Sequence, residues 1–535
     1  MQGALESGVQ FVSAYPGTPS SEIGMIFGEI ARKNGVYFEF SANEKVAMEA
    51  GIGASFSGMK TLVAMKNFGL NVALDAFLPF VYTGTVGPTV IVVADDPSCY
   101  SSGQSEENSR AFAYLGHVPV LEPADPEEAR LFTKLGFEIS GKFNVPVMLR
   151  ITTRVAHQRM PVESGKIPAG KKTGKFVKNV HKFVTMPPRV LEMKDELLEK
   201  IEKIRSFSEK SEANKIISGR TADKIGIIVS GVSYLYVKEI LKESGLDIPI
   251  LKIGMFYPLP NGKIKSFIKG LKKVLVVEEL EGYVEKEVRA LAEKTAIEVH
   301  GKDLLPVTGE LGTGKIAAAL SRLSGKKLKI KNLLETEGRK LKIAPRFPRL
   351  CEGCPYWLVF AAIKKLAPKD VIWGGDIGCY MLAGYPPHEI QDYLLCMGSS
   401  IGIGHGIAKS TRQKVIALIG DSTFFHAGIP ALINTVYNKS NPLIIVLDNR
   451  ITAMTGHQPN PGMGETGMGD SSENIKIEDI AKACGVKHVK VVDPVNFKEL
   501  QNVVKDYLAK DETALIVMRK MCAYYARKIK KDEKR

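Results

Sequence analysis

The chain has 535 residues, room for three or four domains at roughly 150 residues each. With 44% hydrophobic and 24% charged side chains, it is no disordered, collagenous or mucin-like polymer. Its 73 basic and 58 acidic residues leave a net charge of +15, and segments 161–220, 325–342 and 519–535 alone carry +6, +5 and +6. The surplus therefore belongs to two connectors and a tail, and no arginine stripe with interleaved aromatics accompanies it, so no nucleic-acid partner is expected.

In chain order, the first 155 residues alternate helical patterns with short apolar runs. Strands are predicted at 9–13, 36–40, 61–65, 89–94, 118–121 and 145–151, with a helix over 43–58 rich in Ala and Gly. The start lacks a basic n-region and an apolar h-region, and the longest uncharged run, 76–94, is broken by Pro79, Gly84, Gly87 and Pro88. A cytoplasmic chain with no membrane partner is expected. Residues 156–223 read as a basic connector with a helix near 191–204. A second α/β unit at 224–324 has strands at 225–229, 248–253 and 274–278. A second basic connector covers 325–345, and a third α/β unit with a basic tail covers 346–535, with strands at 414–419, 443–447 and 514–519. Nearly continuous apolar strands between helices predict an α/β architecture of mostly parallel sheets covered on both faces.

The sharpest motif lies in the third unit. Gly420-Asp421-Ser422 follows one strand and Asn449 follows the next, with 26 residues between Ser422 and Asn449. A strand–helix–strand of that length puts Asp421 and Asn449 at the carboxyl ends of parallel strands, where α/β sheets bind ligands. A carboxylate and an amide oxygen there suit Mg²⁺ with its preference for oxygen ligands. Gly420 lets backbone approach a phosphate. The pattern resembles the diphosphate-binding motif of thiamine-diphosphate enzymes, with Ser422 in place of the usual third glycine. The resemblance implies the Ile451 carbonyl as the third protein ligand of Mg²⁺.

The first unit resembles the pyrimidine-binding domain of the same enzymes, through Tyr15-Pro16-Gly17-Thr18-Pro19-Ser20 and Ser41-Ala42-Asn43-Glu44-Lys45-Val46-Ala47. Glu44 is then the cofactor-activating glutamate, and Thr18 matches a residue that contacts the substrate carboxylate in related enzymes. A buried glutamate that hydrogen-bonds the pyrimidine favours the tautomer able to take a proton from thiazolium C2.

Of seven cysteines, Cys351 and Cys354 form a C-x-x-C, Cys379 follows 28 positions after Cys351, and Cys522 follows the last predicted strand. Four thiolates from separate loops can hold a 4Fe-4S cluster, and a Cys₄ zinc site would use the same residues. Around a diphosphate motif, this arrangement resembles the proximal cluster site of 2-oxoacid:ferredoxin oxidoreductases. Gly309-Glu310-Leu311-Gly312-Thr313-Gly314-Lys315 nearly spells a nucleotide-binding loop. Ile316 stands where the Mg²⁺-binding Ser or Thr is required, so ATP binding is rejected.

Together with 447–462, LDNRITAMTGHQPNPG, these motifs resemble the alpha subunit of archaeal indolepyruvate:ferredoxin oxidoreductases. The resemblance implies a three-domain architecture: pyrimidine-binding, transketolase-C-like and diphosphate-binding. The implied reaction is oxidative decarboxylation of an arylpyruvate with coenzyme A, with electrons passing through the cluster to ferredoxin. The implied cofactors are thiamine diphosphate, Mg²⁺ and a 4Fe-4S cluster. The implied partners are a beta subunit in a hetero-oligomer and a ferredoxin. Family members usually begin several residues earlier and end in a ferredoxin-like domain with eight further cysteines absent from this sequence. A separate ferredoxin-like subunit or a truncated chain is the corresponding expectation, with the basic tail docking an acidic electron carrier. Two other readings stand beside this one: a non-oxidative thiamine-dependent decarboxylase and a catalytically silent assembly subunit.

Overall fold

A computed structural model describes residues 1–168, 173–220, 223–328, 344 and 348–532. The chain divides into two compact units, residues 1–342 and 343–535.

The first unit holds two sheets. Its strands are β1 (Phe11–Ala14), β2 (Tyr37–Phe40), β3 (Thr61–Lys66), β4 (Thr89–Asp95), β5 (Val120–Leu121), β6 (Val147–Thr152), β7 (Lys215–Ile217), β8 (Ile225–Ser230), β9 (Ile250–Ile253), β10 (Met255–Tyr257), β11 (Lys273–Val277) and β12 (Glu298–His300). The first sheet runs β10-β5-β6-β4-β3-β1-β2 and is parallel except for β10, which pairs antiparallel with β5. Every residue of β4 and β6 is buried. The chain leaves β1 for β2 on one side and returns to β3 on the other, so the C-terminal ends of β1 and β3 form a topological switch point, where such sheets open a ligand crevice.

The second sheet runs β12-β11-β8-β9-β7, with β7 antiparallel to β9. Two details depart from the sequence expectation. Residues 215–217, assigned to the connector, are a strand of this sheet. Residues 255–257, beyond the expected strand, cross to the edge of the first sheet. The connector helix spans Arg189–Lys210 and buries Met193, Leu197, Ile201, Ile204 and Ser208 at helical spacing. Most of the second connector lies outside the described residues.

The second unit has one parallel sheet, β13 (Ile372–Gly374), β14 (Val415–Gly420), β15 (Leu443–Asp448), β16 (His488–Val492) and β17 (Ala514–Arg519), in the order β13-β14-β15-β17-β16. Alternate residues feed two cores. Ile416, Leu418, Ile445, Leu447 and Ile516 pack with the helix Tyr356–Leu366, whereas Ala417, Ile419, Ile444, Val446 and Val517 face the other side. The two-residue period of a pleated strand under helices on both faces produces this division. Among the described residues no helix is long and apolar enough to cross a membrane.

Candidate active site

In the first unit, Glu44 opens the helix Glu44–Phe56, whose N-terminus is capped by Asn43, its Oδ1 accepting from the Val46 N–H at 2.9 Å. Glu44 is only 5% exposed. Its carboxylate lies against Gly69, where an added Cβ would come within 2.8 Å of Glu44 Oε1 and 2.6 Å of its Cγ. Thr18 is half-buried in the turn after β1, which the Ser20 hydroxyl closes by donating to the Gly17 carbonyl at 2.7 Å. Two residues of this crevice have no motif that marks them in the sequence. Gly69 leaves room for the Glu44 carboxylate. Lys66 ends β3 and lays its stem over Gly17, where an added Cβ would meet Lys66 Cδ at 2.8 Å.

In the second unit, β14 and β15 are neighbours, with Gly420 opposite Leu447, so Asp421 and Asn449 leave the ends of adjacent strands. Gly420 is needed because an added Cβ would lie 2.6 Å from a ring carbon of Tyr380. Asp421 is 4% exposed and accepts from Asn460 Nδ2 at 3.1 Å. Burial, and then the Asp448 charge, push the Asp421 carboxyl well above the usual range. The Ser422 hydroxyl accepts from Thr452 Oγ1 at 3.0 Å. Asn449 Oδ1 accepts from the Ile451 N–H at 3.1 Å, which folds the loop so that both residues are buried beside the strand end. Asp448 is engaged elsewhere, with Arg519 Nε donating to it at 2.7 Å. A buried carboxyl made harder to ionise by a second carboxylate fits a divalent cation, whose charge would reverse both effects.

The four cysteines share one electrostatic neighbourhood. Burial is the larger cause that pushes the Cys354 thiol up to about 11, and Cys522 and Cys351 add to it. Burial likewise pushes Cys379 up to about 12, followed by the fields of Cys354, Cys522 and Cys351. Local bonds hold the segments. The Cys354 N–H donates to the Cys351 carbonyl at 3.1 Å, and the Cys522 N–H donates to the Asn449 carbonyl at 3.1 Å. That second bond ties the cysteine loop to the expected diphosphate loop. Among the described residues no three His, Cys, Asp or Glu side chains gather as a site for a metal ion. Cys354 and Cys379 lie in the fields of the other two thiols and of one another, a repulsion between thiolates that a bound cationic metal centre would offset.

Lys315 of the rejected nucleotide loop is used internally, its Nζ donating to the Glu310 carbonyl at 2.6 Å.

Three family models match. Residues 2–196 match "Pyruvate flavodoxin/ferredoxin oxidoreductase, thiamine diP-bdg". Residues 215–346 match "Indolepyruvate oxidoreductase domain", and residues 376–518 match "Thiamine pyrophosphate enzyme, C-terminal TPP binding domain". The fold and these matches define a thiamine-diphosphate enzyme of the 2-oxoacid oxidoreductase class. Indolepyruvate oxidoreductase subunit IorA of Methanothermobacter marburgensis is 42% identical, over 100% of this chain and 88% of its own length. The IorA subunit of Thermococcus kodakarensis is 45% identical, over 98% of this chain and 84% of its own length. The chain belongs to the indolepyruvate oxidoreductase IorA family. A solved 2-oxoglutarate:ferredoxin oxidoreductase from Magnetococcus marinus, with 2-oxoglutarate, coenzyme A and succinyl-CoA bound, is 18% identical at a TM-score of 0.47, covering 61% of this chain and 64% of that one.

Proposed function

We propose that this chain is the thiamine-diphosphate subunit of an enzyme that oxidises arylpyruvates of the indolepyruvate type. The other product-forming reactant is coenzyme A, the products are an arylacetyl-CoA and CO₂, and the electrons go to ferredoxin. Membership of the IorA family carries the reading. The buried Glu44, the Asp421–Asn449 pair and the grouped cysteines support its chemical detail.

When bound, thiamine diphosphate supplies the electron sink that lets a 2-oxoacid lose CO₂. Glu44, buried at the capped start of its helix with its carboxylate against Gly69, would share a proton with the pyrimidine ring. Asp421, Asn449 and the Ile451 carbonyl would hold Mg²⁺ against the diphosphate. Gly420 and Ser422 would border the diphosphate oxygens. Thr18, half-buried in the turn after β1, would contact the substrate carboxylate. Cys351, Cys354, Cys379 and Cys522 would hold a 4Fe-4S cluster, which supplies one-electron steps. A beta subunit completes the assembly. The helix Ala523–Asp532, with Arg527, Lys528, Lys530 and Lys531, offers a basic surface to an acidic electron carrier.

The test is anaerobic purification with the beta subunit, followed by iron and thiamine diphosphate determination per chain. Iron at four per cysteine quartet, lost on Cys379→Ser, is the expected outcome. Iron-free protein that oxidises arylpyruvates at full rate would refute the cluster assignment.

A further inference from the structure

Lys66 is a cation with no assigned task at the mouth of the first sheet's crevice. It is the last residue of β3, at the switch point where β1 and β3 diverge. It also precedes the 17-residue helix Asn67–Thr83, whose N-terminal amides add positive potential at the same place. Its stem is pinned over Gly17, one residue before Thr18, and its ammonium stands 4.6 Å from the centroid of the Phe68 ring. Asn67 beside it is wholly buried, and neither amide atom has a hydrogen-bond partner among the described residues.

The surrounding charges leave the ammonium uncommitted. The carboxylates whose fields reach it are Glu44, Asp96 and Glu107, together with the Cys99 thiol. Asp96 is held by the Thr153 hydroxyl at 2.5 Å and the Ser101 N–H at 2.7 Å. Glu107 accepts from Asn71 Nδ2 at 2.9 Å. Among the described residues no carboxylate comes within 4 Å of Lys66 Nζ to form an ion pair. Burial is the largest influence on the ammonium and lowers its pKa, so an incoming anion restores what desolvation removes.

We propose that Lys66 binds the carboxylate of the 2-oxoacid substrate, opposite Thr18 in the crevice that contains Glu44. The inference rests on the functional reading above and extends it to the residue that tells a 2-oxoacid from the corresponding aldehyde. A lysine–carboxylate pair is strongest in the ground state, because the carboxylate loses its charge as neutral CO₂ departs. Removing the ammonium therefore weakens substrate binding more than it slows the bond-breaking step.

The experiment uses the holoenzyme assembled anaerobically with its beta subunit, with phenylpyruvate as substrate. Lys66→Met is expected to raise KM about ten- to a hundredfold, the range for a lost charge-assisted hydrogen bond. The kcat should stay within about threefold, and Lys66→Arg should recover most of the affinity. Thiamine diphosphate affinity should stay within about twofold in both variants. Calorimetric binding of 3-phenyllactate, which carries the carboxylate without the ketone, reads the same contact without turnover. Weakened phenyllactate binding in Lys66→Met supports the assignment even if the wild-type enzyme oxidises no arylpyruvate, an outcome that would overturn the functional reading alone. An unchanged KM and phenyllactate affinity in Lys66→Met overturns the proposal. An equal loss of thiamine diphosphate affinity overturns it too, because Lys66 would then serve the cofactor or the fold.

Discussion

Gly69→Ala tests how closely Glu44 must be held. The new methyl would lie 2.6 Å from Glu44 Cγ, 2.8 Å from Oε1 and 3.0 Å from Met65 Cβ. Ordinary carbon contacts begin near 3.4 Å, so something must yield by about 0.8 Å, and the free end of Glu44 yields more easily than β3. Alanine favours the helix Asn67–Thr83 by up to about 1 kcal/mol over glycine, while overpacking a buried site costs about 1–3 kcal/mol. The net effect on stability is then a loss of roughly 0–2 kcal/mol. The effect on catalysis should be far larger, because a misplacement of about 1 Å in a reacting group can cost on the order of a hundredfold. Thermal unfolding of the variant, read beside arylpyruvate-dependent ferredoxin reduction, separates the two effects. A near-native melting temperature with activity reduced about thirty- to a hundredfold is expected. Full activity with the methyl in place would refute the argument that Glu44's carboxylate is positioned by Gly69.

Three further outcomes follow from other parts of the molecule. Burial pushes Glu279 up to about 7 from an ordinary value of 4.5, with the Leu311 N–H as a partial compensation, so the folded chain holds a proton there that the unfolded chain has released. This group's contribution to stability therefore falls as pH rises from 4.5 to 7. Glu279→Gln should stabilise the protein by up to about 3 kcal/mol at pH 8, with little difference near pH 4.5, in chemical denaturation at both values. Asp421→Asn should weaken Mg²⁺-dependent thiamine diphosphate binding at least tenfold, roughly one lost charge-assisted ligand, measured by cofactor fluorescence quenching. An unchanged affinity would take Asp421 out of the site. Reversing Lys528, Lys530 and Lys531 to Glu should slow ferredoxin reduction at low salt and converge with wild type at high salt.

The sheets were the most legible part of this chain. Unbroken apolar runs such as 89–94 and 443–447 correspond to strands buried on both faces, and turn residues mark their ends. Met255–Tyr257 was not legible as part of the first sheet, because an edge pairing more than a hundred residues away from Val120 and Leu121 leaves no local pattern. At the candidate site, Asp421 and Asn449 could be placed at neighbouring strand ends because a strand–helix–strand spacing sets that geometry. Lys66 and Gly69 carry no such spacing. Lysine at a strand end reads as a solvated terminus, and glycine in a helix reads as a weak position. Their meaning appears only when β3 is laid beside β1 and the Glu44 helix packs across the start of the next one.

The central claim is that arylpyruvate carbon is oxidised rather than merely decarboxylated. The most direct measurement follows indolepyruvate consumption by the anaerobic holoenzyme, counting CO₂, coenzyme A thioester and reduced ferredoxin together. One thioester and two electrons per CO₂, with turnover dependent on coenzyme A, is the expected result. Indoleacetaldehyde as the product, with ferredoxin left oxidised, would contradict it.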